Sequence, residues 1–343
     1  MRLTRSAVIL IALAIILGAL MVGQYVLHAH ARPELDLYAG PAPASASART
    51  PTPEPQPPFP VTTSGVELLD VRTGQVMYAH NPDLRFQVAS TTKVMTALLA
   101  DEHHALGQVV TIVPQDIPDP TLDAAVVGFK PGQQYTVRQL LYGMALASGY
   151  DAAMAVARAV GGTEANFVAM MNQRAHQLGM DNTHFLNPVG YAFGVASGHY
   201  STAHDLALLM RAFAAHSDLV QIFGTIEYTI PATATHPALV LNRTWGTTLP
   251  DSWVGAAPPD TSAPVRDLHL PFRVLAVKKG CMDCQPADRQ ISYVVLAQQG
   301  ARIIAGAFVG TTQNYYHPEV GDMLPLLLWA FGDCGTDQAR GFC

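Results

Sequence analysis

A serine and a lysine three residues apart, at the head of an apolar helical stretch, can carry out acyl transfer. Ser90 and Lys93 stand this way in Phe86-Gln87-Val88-Ala89-Ser90-Thr91-Thr92-Lys93, with Val94-Met95-Thr96-Ala97-Leu98-Leu99 following. Residues i and i+3 share a helix face, so Lys93 would lie one turn above Ser90, within hydrogen-bond reach. A serine hydroxyl is a weak nucleophile until a base takes its proton, and a lysine can be that base only where burial or another cation lowers its pKa. Taken alone, the spacing has a plainer explanation, in which Ser90 caps the helix and Lys93 is solvated in its first turn. What surrounds the pair decides between the two.

The chain has 343 residues, 49% hydrophobic and 13% charged, enough to bury a sizeable core in one large domain with attachments. A formal charge of -6 with only scattered basic residues excludes the electrostatic footprint of a nucleic-acid binder. Residues 1–32 read as an export segment: Arg2 and Arg5 precede an uncharged run from Ala7 to Leu27, close to the roughly 20 residues that span a bilayer. Ala29-His30-Ala31 fits signal-peptide cleavage, but the length of the run favours an uncleaved membrane anchor with the rest of the chain extracytoplasmic. Residues 33–60, dominated by Pro, Ala, Ser and Thr, read as an extended linker. The folded domain is expected over residues 61–331, followed by a Cys-bearing tail at 332–343.

Within that domain, Gly65–Val71 and Gln75–Ala79 are strand-like and form an opening hairpin. Thr136 can cap a helix through Leu146, Asp151 starts another, and Thr163 starts a third that ends at Leu178 before Gly179. Thr202 and Asp205 make a capping-box-like start for a helix to about Ala215. Phe272–Val277, Ile291–Gln298 and Arg302–Val309 are β-rich, and an apolar segment ends at Phe331. Helices between early and late strands predict an α+β fold, its antiparallel sheet assembled from both ends of the chain and flanked by helices, with a helical region inserted. Cys281, Cys284, Cys334 and Cys343 permit two structural disulfides in an oxidising compartment. Zinc is the alternative for Cys281-x-x-Cys284, but no His nearby completes a site, so no metal is expected. His103 and His104 diverge on their helix and read as solvated.

The sequence resembles the serine D-alanyl-D-alanine carboxypeptidases, the low-molecular-weight penicillin-binding proteins of peptidase family S11. Beyond Ser90-x-x-Lys93, the resemblance rests on Leu140-Leu141-Tyr142-Gly143-Met144 leading to Ser148-Gly149-Tyr150-Asp151-Ala152-Ala153. It extends through Leu178-Gly179-Met180-Asp181-Asn182-Thr183-His184-Phe185-Leu186-Asn187-Pro188 and Tyr200-Ser201-Thr202-Ala203-His204-Asp205-Leu206-Ala207. It implies a β-lactamase/D,D-peptidase-like fold with Ser90, Lys93, Ser148 and Lys278 around one cleft. Lys93 would accept the proton of Ser90, Ser148 would relay one to the leaving D-alanine, and Lys278 would help keep Lys93 neutral by repulsion. The backbone N–H groups of Ser90 and Cys281, next to Gly280, would hold the oxyanion. The partners implied are a peptidoglycan stem peptide and β-lactam antibiotics, with no cofactor.

Two family positions differ. Tyr150 stands where asparagine is usual, and a phenol has another reach, so it either meets substrate or turns aside and packs. Lys279 replaces the threonine or serine of the Lys278-Lys279-Gly280 element, and Thr311-Thr312 stand where an arginine is common. Lys279, helped by Arg243, is therefore expected to bind the substrate carboxylate, unless it points to solvent. An active carboxypeptidase is the reading adopted. Its alternatives are a catalytically impaired wall-binding module and a β-lactamase, for which no deacylating glutamate stands out.

Overall fold

The structure is a computed structural model that describes residues 56–191, 198–243, 270–281, 291–311 and 322–332. Strands β1 (Gly65–Asp70) and β2 (Val76–His80) form the opening hairpin, and β7 (Arg273–Cys281), β8 (Ile291–Gln299) and β9 (Arg302–Thr311) come from the far end of the chain. They join in one sheet of order β2-β1-β9-β8-β7, antiparallel throughout. The α+β expectation holds, and the join is β1 on β9, with Gly65 opposite Val309 and Asp70 opposite Ile304.

Both faces of the sheet are covered, which explains why the central strands read as nearly unbroken apolar runs instead of alternating ones. On β8, Val294 and Leu296 face the helical core, while Ile291, Tyr293 and Val295 face the second core built on the C-terminal helix. The helical core holds α1 (Lys93–Glu102), α2 (Val137–Leu146), α3 (Tyr150–Gly161), α4 (Glu164–Gln177), α5 (Ala203–Phe213) and α6 (Ser217–Gly224). The last helix, α7 (Met323–Phe331), lies on the opposite face. Asp322, at its start, accepts hydrogen bonds from the backbone N–H groups of Thr62 and Thr63 at 2.8 and 2.5 Å, tying the entry of the domain to its final helix.

The helix starts follow from their caps. Thr136 accepts from Gln139 N while the Gln139 side chain accepts from Thr136 N, a reciprocal capping box. Thr163 and Thr202 cap α4 and α5 through Asn166 N and Asp205 N, each cap contributing about 1 kcal/mol. Gly179, at φ 76°, ends the α4 region as expected of a C-terminal glycine. Three features were not legible in the sequence: α6 and the two short hairpins β3 (Val109–Thr111) with β4 (Gln134–Thr136) and β5 (Glu227–Ile230) with β6 (Leu239–Asn242). Strand β7 also runs past Val277 through both lysines to Cys281, because pairing with β8 continues to Ile291. Among the described residues no single helix is long and apolar enough to cross a membrane, and residues 1–55 lie outside the described part.

Candidate active site

The chain reaches Ser90 through a tight turn. Phe86 exchanges backbone hydrogen bonds with Ser201, fixing the approach, and Ala89 takes φ 49°, a left-handed conformation that a side chain adopts only at some cost. A 3-10 turn, Ala89–Thr92, then leads into α1. This places Lys93 Nζ 2.9 Å from Ser90 Oγ, with a second bond of 2.8 Å to the carbonyl of Val189. Lys93 is buried at 3% exposure, so its charge is poorly solvated. Burial lowers its pKa to about 7, against the opposing pull of the Asp151 carboxylate. The capping-and-solvent explanation of this pair therefore fails on burial.

Ser148 lies in the three-residue break between α2 and α3 and also has a left-handed φ, 56°. The buried carboxylate of Asp151 accepts from the N–H groups of Val127, Gly128 and Phe129, and Tyr150 N donates to Ala125 O, so the 125–129 loop is strapped to this break. Gly149 has no room for a side chain, since an added Cβ would lie 2.6 Å from Val127 Cγ2. From β7, Lys278 Nζ donates to Ser148 Oγ at 3.0 Å and to the carbonyl of Lys279 at 2.6 Å. The Lys278 pKa is pushed well down by burial, reinforced by Lys93, Arg243 and Lys279. For Lys93 the first cause is burial, so the expected repulsion from Lys278 is at most secondary there.

Strand β7 passes directly against the start of α1. A Cβ on Gly280 would lie 2.3 Å from Val88 O and 3.1 Å from Ser90 N, which is why only glycine fits between strand and turn. Cys281 follows as the last residue of β7 and is disulfide-bonded; the other three cysteines lie outside the described residues.

The two departures lie in different settings. Lys279 is buried, so it does not point to solvent. Its register partner is Tyr293, which faces the α7 core, whereas Lys278 pairs with Val294 on the helical side. Alternation along a strand thus sets Lys279 on the opposite face of β7 from Lys278. The Arg243 guanidinium donates to the carbonyls of Phe223, Thr225 and Val277 at 2.9, 2.6 and 3.3 Å, clamping the end of α6 to β7. Burial lowers its pKa to about 10. Tyr150 opens α3 half-buried, packed against the helical core, with Glu164 and Tyr191 near its phenol. Thr311 is buried at the end of β9. His103 and His104 are exposed, and no group of three or more metal-ligating side chains occurs among the described residues.

Sequence reasoning missed the Val189 carbonyl, since a backbone acceptor carries no residue signature. It also missed the Asp151 strap, although Asp151 lies within the stretch that carried the resemblance.

The sequence profile described as D-alanyl-D-alanine carboxypeptidase, Peptidase_S11, matches residues 52–244. D-alanyl-D-alanine carboxypeptidase DacF of Bacillus subtilis is 36% identical over 165 residues, 47% of this chain and 41% of that one. DacB2 of Mycobacterium tuberculosis is 40% identical over 153 residues, 45% of this chain and 51% of that one. The chain thus spans about half the length, or less, of these curated relatives. Among solved structures, a D-alanyl-D-alanine carboxypeptidase from Mycobacterium tuberculosis superposes with a TM-score of 0.62 at 26% identity, covering 81% of this chain and 96% of that one. The Streptomyces K15 DD-transpeptidase, at 24% identity and a TM-score of 0.64, shares the fold. With the partly exposed Ser90 and Ser148 each met by a buried lysine, Lys93 and Lys278, on this fold, the chain belongs to the D-alanyl-D-alanine carboxypeptidase family, peptidase S11.

Proposed function

We propose that the protein is a serine-type D-alanyl-D-alanine carboxypeptidase that trims peptidoglycan stem peptides outside the cytoplasmic membrane. The observation that carries this reading is the 2.9 Å approach of a buried Lys93 to Ser90 Oγ. An amine that loses its proton near pH 7 can accept the serine proton as Oγ attacks the carbonyl carbon of the penultimate D-alanine. The N–H groups of Ser90 and Cys281 would receive the oxyanion between the α1 turn and the β7 edge. Collapse breaks the C–N bond, the departing D-alanine nitrogen takes a proton through Ser148, and water then releases the acyl group from Ser90. Lys278 is the cation turned toward Ser148, so it, with the Lys278–Cys281 edge, is assigned the terminal carboxylate in place of Lys279 and Arg243. Arrival of that carboxylate would favour the charged form of Lys278.

A β-lactam would enter the same site and leave Ser90 esterified. The uncharged run Ala7–Leu27 supports attachment to the membrane, with residues 33–60 as a stalk and 61–331 as the working domain. A wall-binding protein without turnover is the second reading, favoured by the loss of the usual hydroxyl at Lys279. The deciding experiment is mass spectrometry of the purified full-length protein after incubation with a penicillin, beside Ser90→Ala. A stoichiometric adduct on Ser90, absent in the variant, is expected. Absence of the adduct in folded wild-type protein, with the penicillin left unhydrolysed, would leave the wall-binding reading.

A further inference from the structure

The segment that supplies Val189 O to Lys93 is held by a buried histidine that plays no part in the chemistry so far described. Residues 186–191 wrap the start of α1. Asn187 Oδ1 accepts from the N–H groups of Val189, Gly190 and Tyr191 at 3.2, 2.8 and 3.1 Å, and Pro188 O accepts from Thr96 Oγ1 at 2.7 Å. Gly190 passes so close to the turn that an added Cβ would lie 1.9 Å from Ala89 O and 2.8 Å from Thr92 Oγ1. His199, fully buried, bridges the two sides of this wrap: its Nδ1 accepts from Leu186 N at 3.1 Å and its Nε2 lies 2.9 Å from Thr92 Oγ1. Because Nδ1 accepts a backbone N–H, the proton of a neutral ring sits on Nε2, and Nε2–H donates to Thr92.

We infer that His199 is a positioning residue for the general base: by joining Leu186 to Thr92 it holds the 186–191 segment against α1, and so keeps Val189 O on Lys93 Nζ. The contact matters for direction as well as distance. A neutral amine that donates one N–H to Val189 O has its lone pair left to take the proton of Ser90 Oγ, whereas a freely rotating amine spends that orientation on water. The same packing keeps water off Lys93. Protonation of His199 would place a proton on Nδ1 facing the Leu186 N–H and break the bridge. Burial, with His184 and Lys93 adding repulsion, lowers its pKa to about 4, so the ring stays neutral where the base operates. The charged group that shifts Lys93 from another element is Asp151 on α3, while Lys93 in turn acts on Lys278 of β7.

The inference rests on the acyl-transfer reading above, and two readouts separate the fate of each. The first is the rate of penicillin acylation against pH for full-length wild type, His199→Phe, His199→Asn and Thr92→Val. The second is the titration of Lys93 followed by NMR of isotope-labelled lysine in the same proteins, which requires no reaction. His199→Phe keeps the ring volume and removes both bonds, so acylation is expected to fall about 10- to 100-fold, the cost of a misplaced reacting group. Water entering beside Lys93 should also raise its pKa above the wild-type value of about 7, moving the acidic limb to higher pH. His199→Asn, which can still accept from Leu186 N, should recover part of the loss. Thr92→Val, which leaves His199 in place and removes its partner, should reproduce part of it even if His199→Phe fails to fold. A wild type that never forms the adduct would break the acyl-transfer reading, while the Lys93 titration would still judge the histidine. Lys93 titrating alike in wild type, His199→Phe and Thr92→Val, or in wild type and Thr92→Val should His199→Phe not fold, would overturn the inference.

Discussion

The two serine–lysine pairs are alike in distance and unlike in electrostatics. Lys93 reaches Ser90 at 2.9 Å and Lys278 reaches Ser148 at 3.0 Å, and both lysines are buried. Lys93 has a carboxylate, Asp151, working against its desolvation, and its pKa settles at about 7. For Lys278 the charged groups acting with burial among the described residues are the cations Lys93, Arg243 and Lys279, and its pKa is lowered well below the usual lysine value. A base must sit near the working pH, so the first environment suits proton transfer from Ser90. The second suits a group that becomes charged when an anion arrives. Two equal contacts thus acquire different work from the charges behind them.

The sharpest way to break this comparison is to remove each ammonium in turn. Lys93→Met should slow penicillin acylation roughly a hundred- to ten-thousand-fold, the range for loss of a positioned base. Lys278→Met should cost roughly 10- to 100-fold through Ser148 and substrate placement. It should also leave the midpoint of the acidic limb near 7, because burial, not Lys278, sets Lys93. Equal losses in the two variants would mean that the division of labour is wrong. Stopped-flow acylation across pH measures both.

A smaller change sharpens the role of the opposing carboxylate. Acylation by wild type should rise as pH passes upward through about 7, since the neutral amine is the competent base. Asp151 favours the charged form of Lys93, so Asp151→Asn should lower the Lys93 pKa and move that limb to lower pH. The variant should also be destabilised by about 1.5–3 kcal/mol in urea unfolding, because an amide oxygen cannot serve all of the N–H groups of Val127, Gly128 and Phe129. A limb that stays in place would remove Asp151 from the electrostatic account and leave it as a strap alone.

The readable part of the site is the part whose geometry is local. Ser90 and Lys93 are one helical turn apart, so spacing alone brings them together once the helix is recognised, and the capping threonines at 136, 163 and 202 announce their helices. Lys279 shows where such reasoning stops. Its type suggests a carboxylate partner, but the face it occupies depends on the β7–β8 register, fixed by the Lys279–Tyr293 pairing. Arg243 is similar: its carbonyl partners on α6 and β7 become neighbours only when the helical region packs on the sheet edge.

By itself the sequence determined the fold class, the one-turn spacing of Ser90 and Lys93, and the family resemblance, because these depend on periodicity, short spacing and residue type. Tertiary structure alone decided the Lys278–Ser148 contact across 130 residues, the burial that brings Lys93 to about 7, and the Val189 carbonyl that orients it. The physical reason is that desolvation and backbone hydrogen bonds depend on which distant segments exclude water from a side chain. Such exclusion is a property of packing, and no single residue along the chain carries it.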